Sequence, residues 1–166
     1  GPLVHAQLGI AEGNSGKLVT QVRRVGEKLA DERAAGVILV DGPPGIGCQT
    51  TAAMAGASLV VLVTEPSASG RHDMERLLSV TNRLGVVALV VLNKVDLAPG
   101  EEALIRATVS RMGADYIGSV PFIQEVPGLL ASGSLIRECP RVLREVAERL
   151  WQVILERALA AESVQQ

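Results

Sequence analysis

Apolar runs of four to seven residues alternate along this chain with stretches in which apolar residues return every three or four positions. The runs at 37–40 (VILV), 58–64 (six apolar or β-branched residues in seven) and 86–92 (seven apolar residues) read as strands buried on both faces, as in parallel sheets. A further strand is predicted at 3–10 and a short last one at 116–120, ending at Pro121. Leu18, Val22, Val25 and Leu29 recur at helical spacing to about Ala34, behind candidate caps at Asn14-Ser15-Gly16. A short helix is predicted near 50–55. Ser69 is the predicted cap of a helix with the stripe Met74, Leu77, Leu78, Thr81 and Leu84, which Gly85 stops. Pro99-Gly100-Glu101-Glu102 opens a helix to about Met112, its acids well placed against the helix dipole. Pro140 starts a long terminal helix with Leu143, Val146, Leu150, Val153 and Ile154 inward, and the tail beyond Ala160 is expected to fray. With right-handed crossovers this βαβαβα order predicts one α/β domain over 1–160, a parallel sheet with helices on both faces.

Composition narrows that picture. The chain has 166 residues, 48% of them hydrophobic, yet holds one Trp, one Tyr and one Phe, so its core must be built from Val, Leu, Ile and Ala. That suits helices layered on a parallel sheet and argues against a β-sandwich or an aromatic nucleic-acid platform. A net charge of −2 with acids and bases interspersed leaves no electrostatic footprint for nucleic acid. No run approaches the roughly 20 residues that span a bilayer, and no secretory signal is visible. Cys48 and Cys139 form no C-x-x-C pair, so a reduced, cytoplasmic protein is expected, with no iron–sulfur or zinc site of its own.

The chemistry is expected at strand ends, where open α/β sheets place ligands. Asp41 ends the run at 37–40 and enters the turn Gly42-Pro43-Pro44-Gly45-Ile46-Gly47. In phosphate-handling enzymes an acid there holds Mg²⁺, usually through water, while glycine amides approach a terminal phosphate. The plainer alternative is a strand followed by a turn with a capping aspartate. Thr64-Glu65-Pro66-Ser67 follows the next strand, and there Ser69 and Asp73 read as helix-capping residues and His72 as a surface or capping histidine. Asn93-Lys94-Val95-Asp96 follows the third strand and has the N-K-x-D form by which many G domains recognise a base. There the asparagine amide fixes loop or base, the lysine stem packs along the ring and the aspartate accepts from guanine; a simple polar turn is the alternative. Val120-Pro121-Phe122 either walls such a pocket or is a rigid loop. No phosphate-binding G-x-x-x-x-G-K-[ST] loop is present: before Gly16-Lys17-Leu18, Ala11 stands where the first glycine belongs, and Leu18 lacks the hydroxyl. Cys48, beside the glycine turn, reads as a small buried residue packing the helix start.

Taken together, HAQL, EGNSGKLVTQVR, VILVDGPPGIGC, VTEPSASGRHDMERL and VVLNKVDL resemble the MinD/ParA-like P-loop ATPases over about residues 4–150. The nearest branch carries an inserted ferredoxin module with two iron–sulfur clusters. The resemblance implies a P-loop NTPase-like fold, incomplete at the N-terminus, without the P-loop or the ferredoxin insert. It also implies ATP and Mg²⁺ as ligands, Asp41 as the Mg²⁺-linked acid, Gly45 as the γ-phosphate sensor, Asn93 at adenine and the Pro121 loop beside it. The iron–sulfur clusters would not belong to this chain. In that family the P-loop strand lies between the strands that would end here at Asp41 and Thr64, and without it both expose an edge. A second copy, or an N-terminal P-loop/ferredoxin partner, is the implied cover. The leading expectation is an ATPase-family domain that needs the N-terminal half for hydrolysis. The alternatives are a non-catalytic interaction module and a GTPase-like domain reading guanine through Asn93, Lys94 and Asp96.

Overall fold

Leu59–Thr64 (β1), Val87–Asn93 (β2) and Asp115–Val120 (β3) form a parallel sheet in the order β1-β2-β3. The computed structural model describes residues 1–6, 15–135 and 137–164, and divides the chain into two compact units, 1–57 and 58–166. The sheet belongs to the second unit. Its strands coincide with the apolar runs at 58–64 and 86–92 and with the short strand predicted at 116–120, and each parallel step is made by a helix: Ala68–Leu84 (α3) between β1 and β2, Glu101–Arg111 (α4) between β2 and β3.

Side-chain alternation along β2 explains why both of its faces are apolar. Ala88, Val90 and Leu92 pack with Leu62 of β1, Met74 and Leu78 of α3, and Ile105 and Val109 of α4. Val91 points the other way and packs with Val146 and Leu150 of the terminal helix Arg141–Val164. Helices therefore cover both faces, as the continuous apolar runs require. Below we call the terminal helix α6, after the short helix α5 (Val126–Ala131). α6 continues through Val164, beyond the Ala160 at which fraying is expected from sequence.

Local chemistry sets the helix ends. The N-cap of α3 is Ser67 and not the predicted Ser69: Ser67 has extended φ/ψ and its Oγ accepts from Gly70 N at 3.0 Å. Ser69 lies inside the first turn, its hydroxyl 3.2 Å from that of Ser67. Gly85 stops the helix in the left-handed conformation, as predicted. Met74, Leu78 and Thr81 are buried, whereas Leu84, at the margin of the stripe, is exposed. α5 and the short 3-10 turn Val95–Leu97 were not legible as periodic segments; Pro127 in the first turn of α5 is their one local signal.

The first unit holds Ser15–Glu32 (α1) and Cys48–Met54 (α2). Leu18, Val22 and Leu29 are half-buried, but Val25 of the predicted stripe is exposed. Arg23 of α1 donates to the carbonyls of Ala52, Ala53 and Ala55 at the C-terminal end of α2, where a cation offsets the helix dipole. The predicted strand at 37–40 does not form. Those residues are irregular and exposed, Leu39 81% so. A strand needs neighbouring backbone to accept its hydrogen bonds, and no described residue of this unit is in a strand. The strand predicted at 3–10 is likewise absent over residues 3–6; residues 7–10, and Asn14 of the predicted caps, lie outside the described residues.

Candidate functional site at the strand ends

Parallel strands bring their carboxyl ends to one edge, so the segments after β1, β2 and β3 meet there. β2 delivers Asn93, half-buried and in register with Val120 of β3. The chain then turns through Lys94 in the left-handed conformation (φ 57°, ψ 42°), which starts the turn Val95–Leu97. A non-glycine residue held there costs on the order of 1 kcal/mol, so the surrounding contacts must fix it.

Two such contacts exist. Lys94 Nζ donates to Glu65 Oε1, after β1, at 2.6 Å. Asp96 Oδ1 accepts the backbone N–H of Phe122, after β3, at 2.7 Å, a charge-assisted bond. The structure thus brings Glu65, Lys94, Asp96, Pro121 and Phe122 onto one rim, with Asn93 between them. The N-K-x-D form assigns Asp96 to a base, yet its carboxylate meets a loop amide. Glu65 and Phe122 carry contacts that sequence reasoning did not assign; the strand-end position of each was the available signal.

Close packing supports the β1 side of this rim. A Cβ built on Gly70 would lie 2.5 Å from the Glu65 carbonyl oxygen, 3.0 Å from Thr64 Oγ1 and 3.1 Å from Ser67 Oγ. Only glycine lets the first turn of α3 come this near the end of β1. Arg71 of the same turn pairs with Glu101 at the start of α4, at 3.6 Å. His72 and Asp73 are exposed.

Asp41 and Gly45 lie in the first unit. Asp41 is exposed and follows the irregular segment. Gly45 has φ +82°, with nothing within 4 Å of where a Cβ would stand, so conformation and not crowding calls for glycine. Thr50 Oγ1 donates to the Gly45 carbonyl at 2.9 Å and Thr51 Oγ1 to that of Gly47 at 3.2 Å, fastening the turn to α2. Cys48 is exposed and unbridged, not the buried packing residue expected: it stands at the exposed first position of α2. Lys17 is exposed on α1.

Comparison with known proteins places this geometry. The chain takes the fold of the MinD cell division protein of Aquifex aeolicus, with a TM-score of 0.65 over 84% of this chain and 60% of that one, at 16% identity. It is therefore an α/β protein with a MinD-like fold. No protein-family profile matches it. It is 26% identical over 155 residues to the uncharacterized protein MJ0578 of Methanocaldococcus jannaschii, covering 93% of this chain and 51% of that protein. To the uncharacterized protein MJ0579 of the same organism it is 29% identical over 94 residues, covering 57% of this chain and 34% of that protein. The chain thus spans about half, or less, of the length of these curated relatives. No described helix is long and apolar enough to cross a membrane.

Proposed function

We propose that this chain is the C-terminal portion of a cytoplasmic, MinD-like ATPase, binding ATP at the strand ends and hydrolysing it once an N-terminal P-loop segment is supplied. The observation that carries this reading is the gathering of Asn93, Lys94, Asp96 and Pro121 at the carboxyl edge of a MinD-type parallel sheet. In it Asn93 contacts adenine and the Pro121 loop borders the ring. Asp41 is the metal-linked acid, and Gly45 gives its backbone to the terminal phosphate.

The donor set can be weighed against Mg²⁺. Mg²⁺ keeps several waters and is held by one or two carboxylates together with substrate phosphates. Asp41 offers one exposed carboxylate, and the described residues contain no group of three or more His, Cys, Asp or Glu that could cage an ion. The one carboxylate of Asp41 suits a hydrated Mg²⁺ carried on a nucleotide, where the ion would neutralise phosphate charge. The role of Asp41 is to hold that hydration shell and of Gly45 to fix where the terminal phosphate stops.

The partner is an N-terminal P-loop/ferredoxin segment, whose iron–sulfur clusters lie outside this chain, or else a second copy. Two observations support the need for a partner: the exposed apolar residues 37–40, and β1 as an edge strand with Val63 66% exposed. The same exposed residues favour a second reading, an interaction module that hydrolyses nothing. A guanine-reading GTPase has less support, because the Asp96 carboxylate is engaged by Phe122.

Titration of the chain with fluorescent ATP and GTP analogues and Mg²⁺ tests the proposal, with Asp41→Ala as control. Saturable ATP binding that the substitution abolishes supports it. If a co-expressed N-terminal P-loop segment associates with the chain and ATP still fails to bind, the interaction module is the better account.

A further inference from the structure

The four residues Asn93-Lys94-Val95-Asp96 touch both neighbouring strand ends, and this assigns them unequal work. Lys94 reaches across to Glu65 behind β1, and Asp96 reaches the other way to the Phe122 amide behind β3. The left-handed backbone at Lys94 lets one short segment send two charged side chains in opposite directions along the edge. We propose that Lys94 and Asp96 are positioning residues: a double latch that joins three strand-end loops into one rim and holds Asn93 and the Pro121 loop at the base. This rests on the nucleotide reading above and deepens it.

The chemistry of purines gives the latch a consequence for specificity. A carboxylate reads guanine by accepting from its ring N–H and its exocyclic amino group, which takes both oxygens. Asp96 Oδ1 already accepts from Phe122 N at 2.7 Å. Reading guanine in that way would make Oδ1 serve two donors at once, in competition with the bond that seats the β3 loop. Adenine offers no pair of adjacent donors that would compete for Asp96. The latch therefore sets guanine reading in competition with the seat of the β3 loop, a competition that adenine does not enter.

The test compares Asp96→Ala and Asp96→Asn with wild type in the full chain. It reads exchange of the Phe122 amide by NMR and binding of fluorescent ATP and GTP analogues. The asparagine carbonyl can still accept from Phe122, whereas it replaces one acceptor of a guanine-reading pair by a donor. The latch predicts that Asp96→Ala speeds Phe122 exchange by roughly tenfold, the loss expected for a hydrogen bond to a charged group. It also predicts that this substitution weakens both analogues by a common factor, and that Asp96→Asn largely restores both readouts. Loss of GTP-analogue binding alone, with Phe122 exchange unchanged, would overturn the proposal and make Asp96 a base reader. If neither analogue binds even with a co-expressed N-terminal P-loop segment associated, the nucleotide reading fails and the positioning role with it. A Phe122 amide that still responds to Asp96 would locate that failure in the function and not in the contact.

Discussion

The run VILV at 37–40 and the run at 86–92 carry the same kind of apolar signal, and they end differently. In the second unit β2 has a strand on either side and helices on both faces, and its residues Leu89, Val90 and Leu92 are fully buried. In the first unit residues 37–40 are irregular, and Leu39 is 81% exposed. Sequence hydrophobicity is not the difference. A strand becomes a strand when neighbouring backbone satisfies its amides and neighbouring side chains cover it, and both conditions are non-local.

The largest expected effect comes from truncating matched leucines in the two regions. Leu78→Ala, in the fully buried cluster of α3, β1, β2 and α4, is expected to cost about 2–5 kcal/mol in chemical denaturation followed by circular dichroism. Leu39→Ala is expected to stay within about 0.5 kcal/mol of wild type. Equal losses at both positions would break the comparison.

Two glycines sharpen it at smaller scale. Gly70→Ala drives a Cβ against the Glu65 carbonyl and is expected to cost about 1–3 kcal/mol, with disorder spreading to the Lys94–Glu65 contact. Gly45→Ala meets no neighbour, so only its left-handed backbone opposes the change, at about 1 kcal/mol. Melting temperatures of the two variants measure the difference; a greater loss at Gly45 would contradict the crowding described at Gly70.

A pH effect of the smallest size is expected from Glu102 of α4. Its carboxyl lies below its ordinary value of 4.5, chiefly through the hydrogen bond from Arg106 and then that from the Tyr116 hydroxyl. Arg106 also stacks 4.0 Å from the centre of the Tyr116 ring. The folded state therefore holds the ionised form more tightly than the unfolded chain does. Its contribution is complete above about pH 4.5 and is lost as pH falls through the lower folded value. Urea midpoints of wild type and Glu102→Gln should converge as the solution is acidified below that point. A gap that stays constant would remove ionisation from the explanation.

Much of the second unit was legible in the sequence because its signals are local or periodic. The runs at 58–64 and 86–92, the Met74-Leu78-Thr81 stripe and the Gly85 stop each declare an element within a few turns. The cap choice between Ser67 and Ser69 was not legible, since either serine suits the spacing and the close approach of Gly70 to Glu65 decides it. The fate of residues 37–40 depends on partner strands that their own pattern does not describe. At the site, the strand-end positions of Asn93, Lys94, Asp96 and Pro121 followed from the pattern. The partners of Lys94 and Asp96 did not, because Glu65 and Phe122 come from other loops, 29 and 26 residues away.

Pairing, and not apolar composition, separates the two runs. Amide hydrogen exchange on the intact chain measures it directly, because protection reports hydrogen-bonded backbone. Strong protection is expected at Val90, Val91 and Leu92, and near-unprotected exchange at Ile38, Leu39 and Val40. Protection of Ile38 to Val40 comparable with that of β2 would show a paired strand there and would contradict the account.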